Sequence, residues 1–383
     1  EAAIAAALVR APNARPALVA ERACGVLKDM RGPKAKVDCV ALDMQTEIAL
    51  SRRAYAPSDG VAPHAARRVL AAWRAGHRDE PLPASLPSTL DARVQRLALQ
   101  TLTQHVKELH GRNVEDGAVV VLDNASGDVL AWVGSTGALS AAAEVDGVLA
   151  PRQPGSTLKP FLYAQAMAER RLTAASLIDD SPAALQTGSG LYIPQNYDRR
   201  FKGWVSARTA LASSLNVPAV RTLVMVSPDA FAHQLRALGI GLREGGDYYG
   251  YSLALGSAEM PLLQLTNAYR ALANGGRFSP TALLPGGAAP QFKPVLDAAA
   301  SFIVSDILAD TNARAPTFGS DSLLATRFWT AVKTGTSKDM RDNWAVGYSQ
   351  RYTVGVWVGN ASGAAMWDVS GTSGAAPVWA ALM

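Results

Sequence analysis

Two apolar, β-branched stretches far apart in the chain read most clearly as strands. Ala118-Val119-Val120-Val121-Leu122 runs into the turn Asn124-Ala125-Ser126-Gly127, and Val129-Leu130-Ala131-Trp132-Val133 returns, predicting a hairpin between Gly117 and Gly134. Near the other end Trp329 to Thr336 and Asn343 to Tyr348 predict a second hairpin, to which Thr353 to Gly359 adds a third strand. Elsewhere the apolar spacing is helical. Asp91 to His110 carries a stripe at Val94, Leu97, Ala98, Leu102, Val106 and Leu109. A helix opens at Ser156 and runs to about Arg171, and residues 172 to 328 are mainly helical with glycine- and proline-rich loops. Helices there fall near Ala207–Ser214, Asp229–Leu238 and Leu262–Asn274. Ahead of all this, Glu1–Arg10 and Ala17–Met30 read as helices broken by Pro12 and Pro16. Residues 31 to 85 are irregular, with helical patches near Ala41–Ser51 and Ala65–Ala75, and Pro81-Leu82-Pro83 with Leu86-Pro87 resembles a linker. Strands at both ends of a helical region predict an α+β fold: one central antiparallel sheet, joined by distant parts of the chain and flanked by helices.

A chain of 383 residues has room for one large domain and a smaller piece. Its net charge of +5 comes from scattered arginines rather than a Lys/Arg block, so nucleic acid is not expected as a partner. Mild attraction to an anionic membrane or polymer is the weaker alternative. There is no run of eighteen apolar residues and no secretory signal. The chain starts at Glu1 and stops at Met383 inside a helical pattern from Pro377, so we expect a piece of a longer protein. Cys24 and Cys39 have neither zinc-ligand neighbours nor Cys-x-x-Cys spacing. A disulfide and two buried thiols fit them equally well. No metal or cofactor is called for.

The candidate chemistry starts at Ser156. Lys159 follows one helical turn on, on the same face, close enough for its amine to take the serine's proton. A desolvated, partly neutral lysine is one way to activate a hydroxyl that is otherwise a poor nucleophile. Alone, Ser-x-x-Lys is weak, since chance gives roughly half an occurrence per chain of this composition. Ser214-Leu215-Asn216 is the only Ser-x-Asn, however, and Lys333-Thr334-Gly335-Thr336 holds the only Lys-Thr-Gly. All three in that order have a chance probability of roughly one in a thousand. Ser214 can relay a proton between Lys159 and a leaving amine, and Asn216 offers an amide to a substrate peptide bond. As a lone pair they would read as a turn or N-cap. Lys333 is a fixed cation, Thr334 and Thr336 supply hydroxyls for a carboxylate, and Gly335 leaves space where an extended substrate approaches the strand edge. Without the other motifs, Lys-Thr-Gly would be a hairpin with a solvated lysine. The backbone N–H groups of Ser156 and Thr336 are candidates for an oxyanion hole.

At these residues the chain resembles the transpeptidase domain of the class A penicillin-binding proteins. The resemblance extends to Arg152–Phe161, Tyr192–Tyr197, Arg208–Val220, Leu255–Glu259, Ala268-Tyr269, Ala273–Gly276 and the strands from Trp344 to Gly359, and so covers roughly residues 87 to 383. Asp146-Gly147-Val148 is most similar to the 1C type within that family. Glu1–Leu8 and Ala11-Pro12 resemble the closing helices of the family's glycosyltransferase domain, without the part that carries its catalytic glutamates. The domains implied are such a remnant over residues 1–31, a linker region over 32–90 and a transpeptidase domain over 91–383 with a large all-helical subdomain.

What the resemblance implies is a serine acyl-transferase of peptidoglycan synthesis. Its donor is a stem peptide ending in D-Ala-D-Ala, its acceptor an amine on a neighbouring peptide, and β-lactams are trapped as an ester on Ser156. Glycan polymerisation is not expected of this piece. The family also implies a periplasmic location, a full-length protein anchored to the inner membrane, and protein partners in cell-wall synthesis. Two other readings share the motifs: a hydrolytic carboxypeptidase or β-lactamase, and a penicillin-binding sensor or scaffold that turns over poorly. A class A β-lactamase needs a deacylating glutamate, and Glu259 lies instead in a stretch similar to the penicillin-binding proteins.

Overall fold

A computed structural model describes residues 2–9, 14–32, 35–51, 60–187, 190–287 and 289–383. Of the two expected helix breaks, Pro12 lies outside the described residues. The chain divides between Gly60 and Val61 into two compact units. This differs from the boundaries read off the sequence, because the helical segment after Val61, assigned there to a linker, belongs to the unit that carries the sheet.

The first unit contains helices α1 (Ala2–Val9), α2 (Pro16–Arg31) and α3 (Cys39–Ser51). Pro16 opens α2, where its missing N–H would have no partner in any case. Ala3, Ile4 and Ala7 meet Val19, Ala23, Cys24 and Leu42 in a small core. A disulfide joins Cys24 to Cys39, with Cα atoms 5.6 Å apart, which decides between the two states that the sequence left open.

The second unit starts with α4 (Pro63–Gly76) and α5 (Ala92–Glu108), followed by β1 (Asp116–Asp123) and β2 (Val129–Val133). A 3-10 turn over Gly155–Leu158 leads into α6 (Lys159–Ala168). Then come β3 (Leu177–Asp180), β4 (Leu185–Thr187), β5 (Gly190–Tyr192) and β6 (Gly203–Ser206). Helices α7 (Ala207–Ala212), α8 (Asn216–Val226), α9 (Pro228–Ala237), α10 (Gly246–Tyr249) and α11 (Leu262–Ala273) follow. Strands β7 (Arg277–Phe278) and β8 (Lys293–Pro294) precede α12 (Ala298–Ala309) and α13 (Thr311–Phe318). The chain closes with β9 (Ala331–Thr336), β10 (Asp342–Tyr348), β11 (Tyr352–Gly359) and α14 (Ala376–Leu382).

Both predicted hairpins belong to one antiparallel sheet of order β2-β1-β11-β10-β9. The join is β1 on β11, with Val119 opposite Val356 and Val121 opposite Val354. Alternation then sends Val120, Trp132, Trp344, Val346 and Trp357 into the larger core, with α6 and α11. Val119, Val121, Ala345, Val356 and Val358 point the other way, into a core shared with α5 and α14. On α5 the predicted stripe needs one correction. Leu97 is 48% exposed, whereas Gln95 is buried. The reason is an edge to be covered: Gln95 accepts from the Trp132 N–H at 2.7 Å and donates to its carbonyl at 3.0 Å, pairing the free side of β2. The middle region also contains three short ribbons, β3–β6, β4–β5 and β7–β8, that its helical pattern did not announce.

Candidate active site

Ser156 does not lie in an α-helix. It sits in the 3-10 turn, and α6 begins only at Lys159 and ends at Ala168, short of the expected Arg171. With three residues per turn, positions i and i+3 eclipse, so Ser156 and Lys159 still share one side. Every residue of α6 from Lys159 to Met167 is buried, which carries the lysine amine out of water. The turn is held from outside by groups absent from the candidate set. Tyr269 donates its hydroxyl to the Thr157 carbonyl at 2.7 Å, and the Trp344 indole donates to the Gln153 carbonyl at 2.8 Å.

Ser214 and Asn216 come from the junction of α7 and α8. After Ala212 the chain caps α7 with N–H groups of Ser214 on Leu211 and of Leu215 on Ala210. This places Ser214 at φ 60°, a left-handed position more usual for glycine or asparagine. Such a conformation costs roughly 1–3 kcal/mol and persists where surroundings over-determine it, often at functional sites.

The structure brings the three motifs to one place. Lys159 Nζ donates to the Ser214 carbonyl at 2.6 Å and to Asn216 Oδ1 at 2.7 Å, with Ser214 Oγ at 3.5 Å. Lys333 Nζ donates to Ser214 Oγ at 2.8 Å and to the Thr334 carbonyl at 2.8 Å. Among the described residues no hydrogen bond joins the Ser156 hydroxyl to Lys159; the amine is engaged by Ser214 and Asn216 instead. The Thr336 hydroxyl accepts from the Gly371 N–H at 2.9 Å, and Thr334 is buried beside it on β9.

Gly335 requires a correction. A Cβ there would lie 2.3 Å from the Pro154 carbonyl oxygen and 2.8 Å from the Thr157 methyl. It is bare so that β9 can touch the serine turn, not to leave room for a ligand. Gly155 makes the reciprocal approach at φ +57°: a Cβ on it would stand 2.6 Å from the Thr336 carbonyl oxygen and 2.9 Å from its nitrogen. The peptide leading into Ser156 therefore runs directly against Thr336.

Burial and the nearby Lys333 charge drive the Lys159 amine well below its usual range, opposed by the negative charge of Asp180. Lys333 is pushed down to about 7, by burial first and then by the buried Arg314 guanidinium. Among the described residues no cluster of three or more His, Cys, Asp or Glu side chains could hold a metal, and no helix is long and apolar enough to cross a membrane.

Residues 117–383 match the penicillin binding protein transpeptidase domain. Penicillin-binding protein 1C of Escherichia coli is 36% identical over 297 residues, which cover 76% of this chain and 37% of that protein. Penicillin-binding protein 1A of Neisseria meningitidis is 32% identical over 286 residues, 69% of this chain and 35% of its own. The chain thus spans little more than a third of the length of these relatives. Two solved structures share the fold. The Mycobacterium tuberculosis PonA1 protein in complex with penicillin V superposes with a TM-score of 0.68 at 22% identity, covering 83% of this chain and 91% of that one. Penicillin-binding protein 1A from Haemophilus influenzae gives 0.74 at 18% identity, covering 100% and 79%.

Proposed function

Because the chain belongs to the penicillin-binding protein transpeptidase family, we propose that it forms an acyl-enzyme on Ser156 and transfers the acyl group to an amine, cross-linking peptidoglycan stem peptides. The observation that carries this reading is the setting of Lys159. A neutral amine has two N–H groups and one lone pair. Two short hydrogen bonds, to the Ser214 carbonyl and Asn216 Oδ1, take up the two N–H groups. The lone pair is then left for the Ser156 proton, and burial favours the neutral form that has one.

In the proposed sequence Ser156 Oγ attacks the carbonyl of the penultimate D-alanine while its proton passes to Lys159. The oxyanion forms against the backbone N–H groups of Ser156 and Thr336. As the C–N bond breaks, the proton travels through the Ser214 hydroxyl, which Lys333 already contacts, to the departing terminal D-alanine. An amine of a second stem peptide attacks the ester, loses a proton back along the same route and frees Ser156. Lys333, Thr334 and Thr336 hold the donor carboxylate, and the Asn216 amide orients the donor peptide bond. A β-lactam carbonyl enters by the same attack, but its leaving nitrogen stays tethered and the ester persists. No cofactor takes part in this scheme.

We further place the reaction on the periplasmic face of the inner membrane, and read residues 1–31 as the closing helices of a glycosyltransferase domain. The test of the central reading is product analysis. Incubation with a D-Ala-D-Ala pentapeptide and an amine acceptor should release one D-alanine per cross-linked product. Free tetrapeptide alone would make the protein a carboxypeptidase, and penicillin labelling without any D-alanine release would make it a sensor.

A further inference from the structure

Asp180, the last residue of β3, is fully buried although it bears a carboxylate. Its two oxygens each lie 2.8 Å from Asn196 Nδ2, and one also accepts from the Lys202 N–H at 2.9 Å. The remaining hydrogen of the Asn196 amide goes to the Arg200 carbonyl at 2.8 Å. The amide oxygen meets only donors, the backbone N–H groups of Asn216 at 2.8 Å and Val217 at 3.3 Å. Flipping the amide would set its oxygen against a carboxylate and a carbonyl. One orientation is therefore fixed.

The two N–H groups that Asn196 accepts open α8. The helix's own N-cap position is Leu215, which has no side-chain oxygen to offer. Asn196 supplies that cap from a different part of the chain. The next residue back also takes part: Asn216 Nδ2 donates to the Gln195 carbonyl at 2.8 Å, which turns Oδ1 toward Lys159. Residues 195 and 196 thus grip Asn216 by both backbone and side chain.

We propose that Asp180 and Asn196 are positioning residues of the serine site: the buried carboxylate locks the Asn196 amide, and Asn196 sets the start of α8 so that Asn216 presents its oxygen to the Lys159 amine. The proposal rests on the reading of Ser156 as nucleophile and Lys159 as its base. The carboxylate also acts through space. Among the described residues the charges that act on the Lys159 amine are Lys333 on β9, with Arg314 acting on it in turn, and Asp180 on β3, while Tyr163 lies one turn along α6. Of these Asp180 alone favours the protonated amine. Removing its charge has two separable consequences. Asn196 loosens, slowing acylation at every pH, and Lys159 stays neutral to lower pH, shifting the acid limb of the rate profile downward.

The experiment measures the rate of acylation by a fluorescent penicillin against pH, on the full chain and on three variants, with thermal unfolding recorded alongside. Asp180→Asn keeps the shape but turns a donor toward either the Asn196 amide or the Lys202 N–H. Its rate should fall about 10- to 100-fold, in line with the loss of a hydrogen bond to a charged group, and its acid limb should move to lower pH. Asn196→Asp sets two carboxylates together and should fall at least as far. The swap Asp180→Asn with Asn196→Asp keeps an acceptor for the α8 N–H groups and gives the new carboxylate a donor at position 180, leaving only the Arg200 carbonyl without its partner, and should acylate faster than either single variant. A parent-like rate and an unmoved limb in Asp180→Asn would overturn the proposal, as would a swap no better than the single variants. If Asp180→Asn loses its unfolding transition, the swap decides alone; a swap that is also unfolded assigns the pair to the fold and overturns the proposal. A parent that takes no label at all would instead refute the serine-site reading on which it rests.

Discussion

Lys159 and Lys333 approach the same serine, Ser214, from opposite walls of the site, and their surroundings differ in kind. On the helical wall, Lys159 gives its hydrogens to a carbonyl and a carboxamide, and the charge behind it is the anion Asp180. On the strand wall, Lys333 gives its hydrogens to a hydroxyl and a carbonyl, and the charge behind it is the cation Arg314. Burial lowers both, but of the two Lys159 is the one that sits in a polar network drawn from β3, the segment holding Gln195 and Asn196, and α8. The strand wall is instead fitted by backbone contact, Gly335 against Pro154 and Gly155 against Thr336. In the proposed mechanism one residue type is a base on one wall and a titrating cation on the other, and the neighbours make the difference.

Of the two lysines, Lys159 is the more sensitive to substitution. Lys159→Arg leaves a cation but removes the neutral form, since arginine keeps its proton throughout this range. Penicillin acylation should drop on the order of a thousandfold, as far as in Lys159→Ala. Near-normal labelling would mean that Lys159 works only as a charge. On the strand wall the vulnerable position is Gly335. A valine there must displace the Pro154 backbone, so Gly335→Val should destabilise the protein by about 1–3 kcal/mol or more and slow acylation with it. A variant that melts like the parent while acylating slowly would restore the view that the space belongs to a ligand.

The pH dependence separates the two lysines. Lys333 is charged below about 7 and neutral above it in the free protein, so its attraction for a carboxylate weakens as pH rises through that value. The second-order rate of acylation should decline over the same interval. Lys333→Arg, charged at every accessible pH, should lose that basic limb while keeping the acid limb set by Lys159. A limb that survives in Lys333→Arg belongs to another group.

How much of this the sequence announced depends on the scale of the signal. The five-stranded sheet was legible because runs such as Val119–Leu122 and Thr353–Gly359 are long enough to show their character. The ribbons β4–β5 and β7–β8 were not, since two or three residues carry no periodicity. Ser156, Lys159, Ser214 and Lys333 were legible as motif members, and the structure does gather them. Gly335 was found for the wrong reason, because a missing side chain does not say what occupies the space. Asp180 and Asn196 stand 16 residues apart and join only when β3 and the stretch before α7 fold against α8. Gln95 looked like a polar interruption of an apolar stripe. Only the free edge of β2 explains it.

The smallest effect is expected from the disulfide-linked helices at the start of the chain. Deleting residues 1–31 removes α1 and α2 and none of the serine-site residues named above, so the acylation rate should stay within about twofold, no more than ~0.4 kcal/mol in the barrier. A larger loss would make those helices part of the transpeptidase unit.

The central claim, that Ser156 is the nucleophile paired with Lys159, is tested most directly by intact-mass and peptide-mapping measurement after incubation with penicillin. A single adduct of one penicillin per chain is expected, located on the peptide containing Ser156, with no adduct in a folded Ser156→Ala protein. An adduct on any other residue, or one that persists in Ser156→Ala, would contradict it.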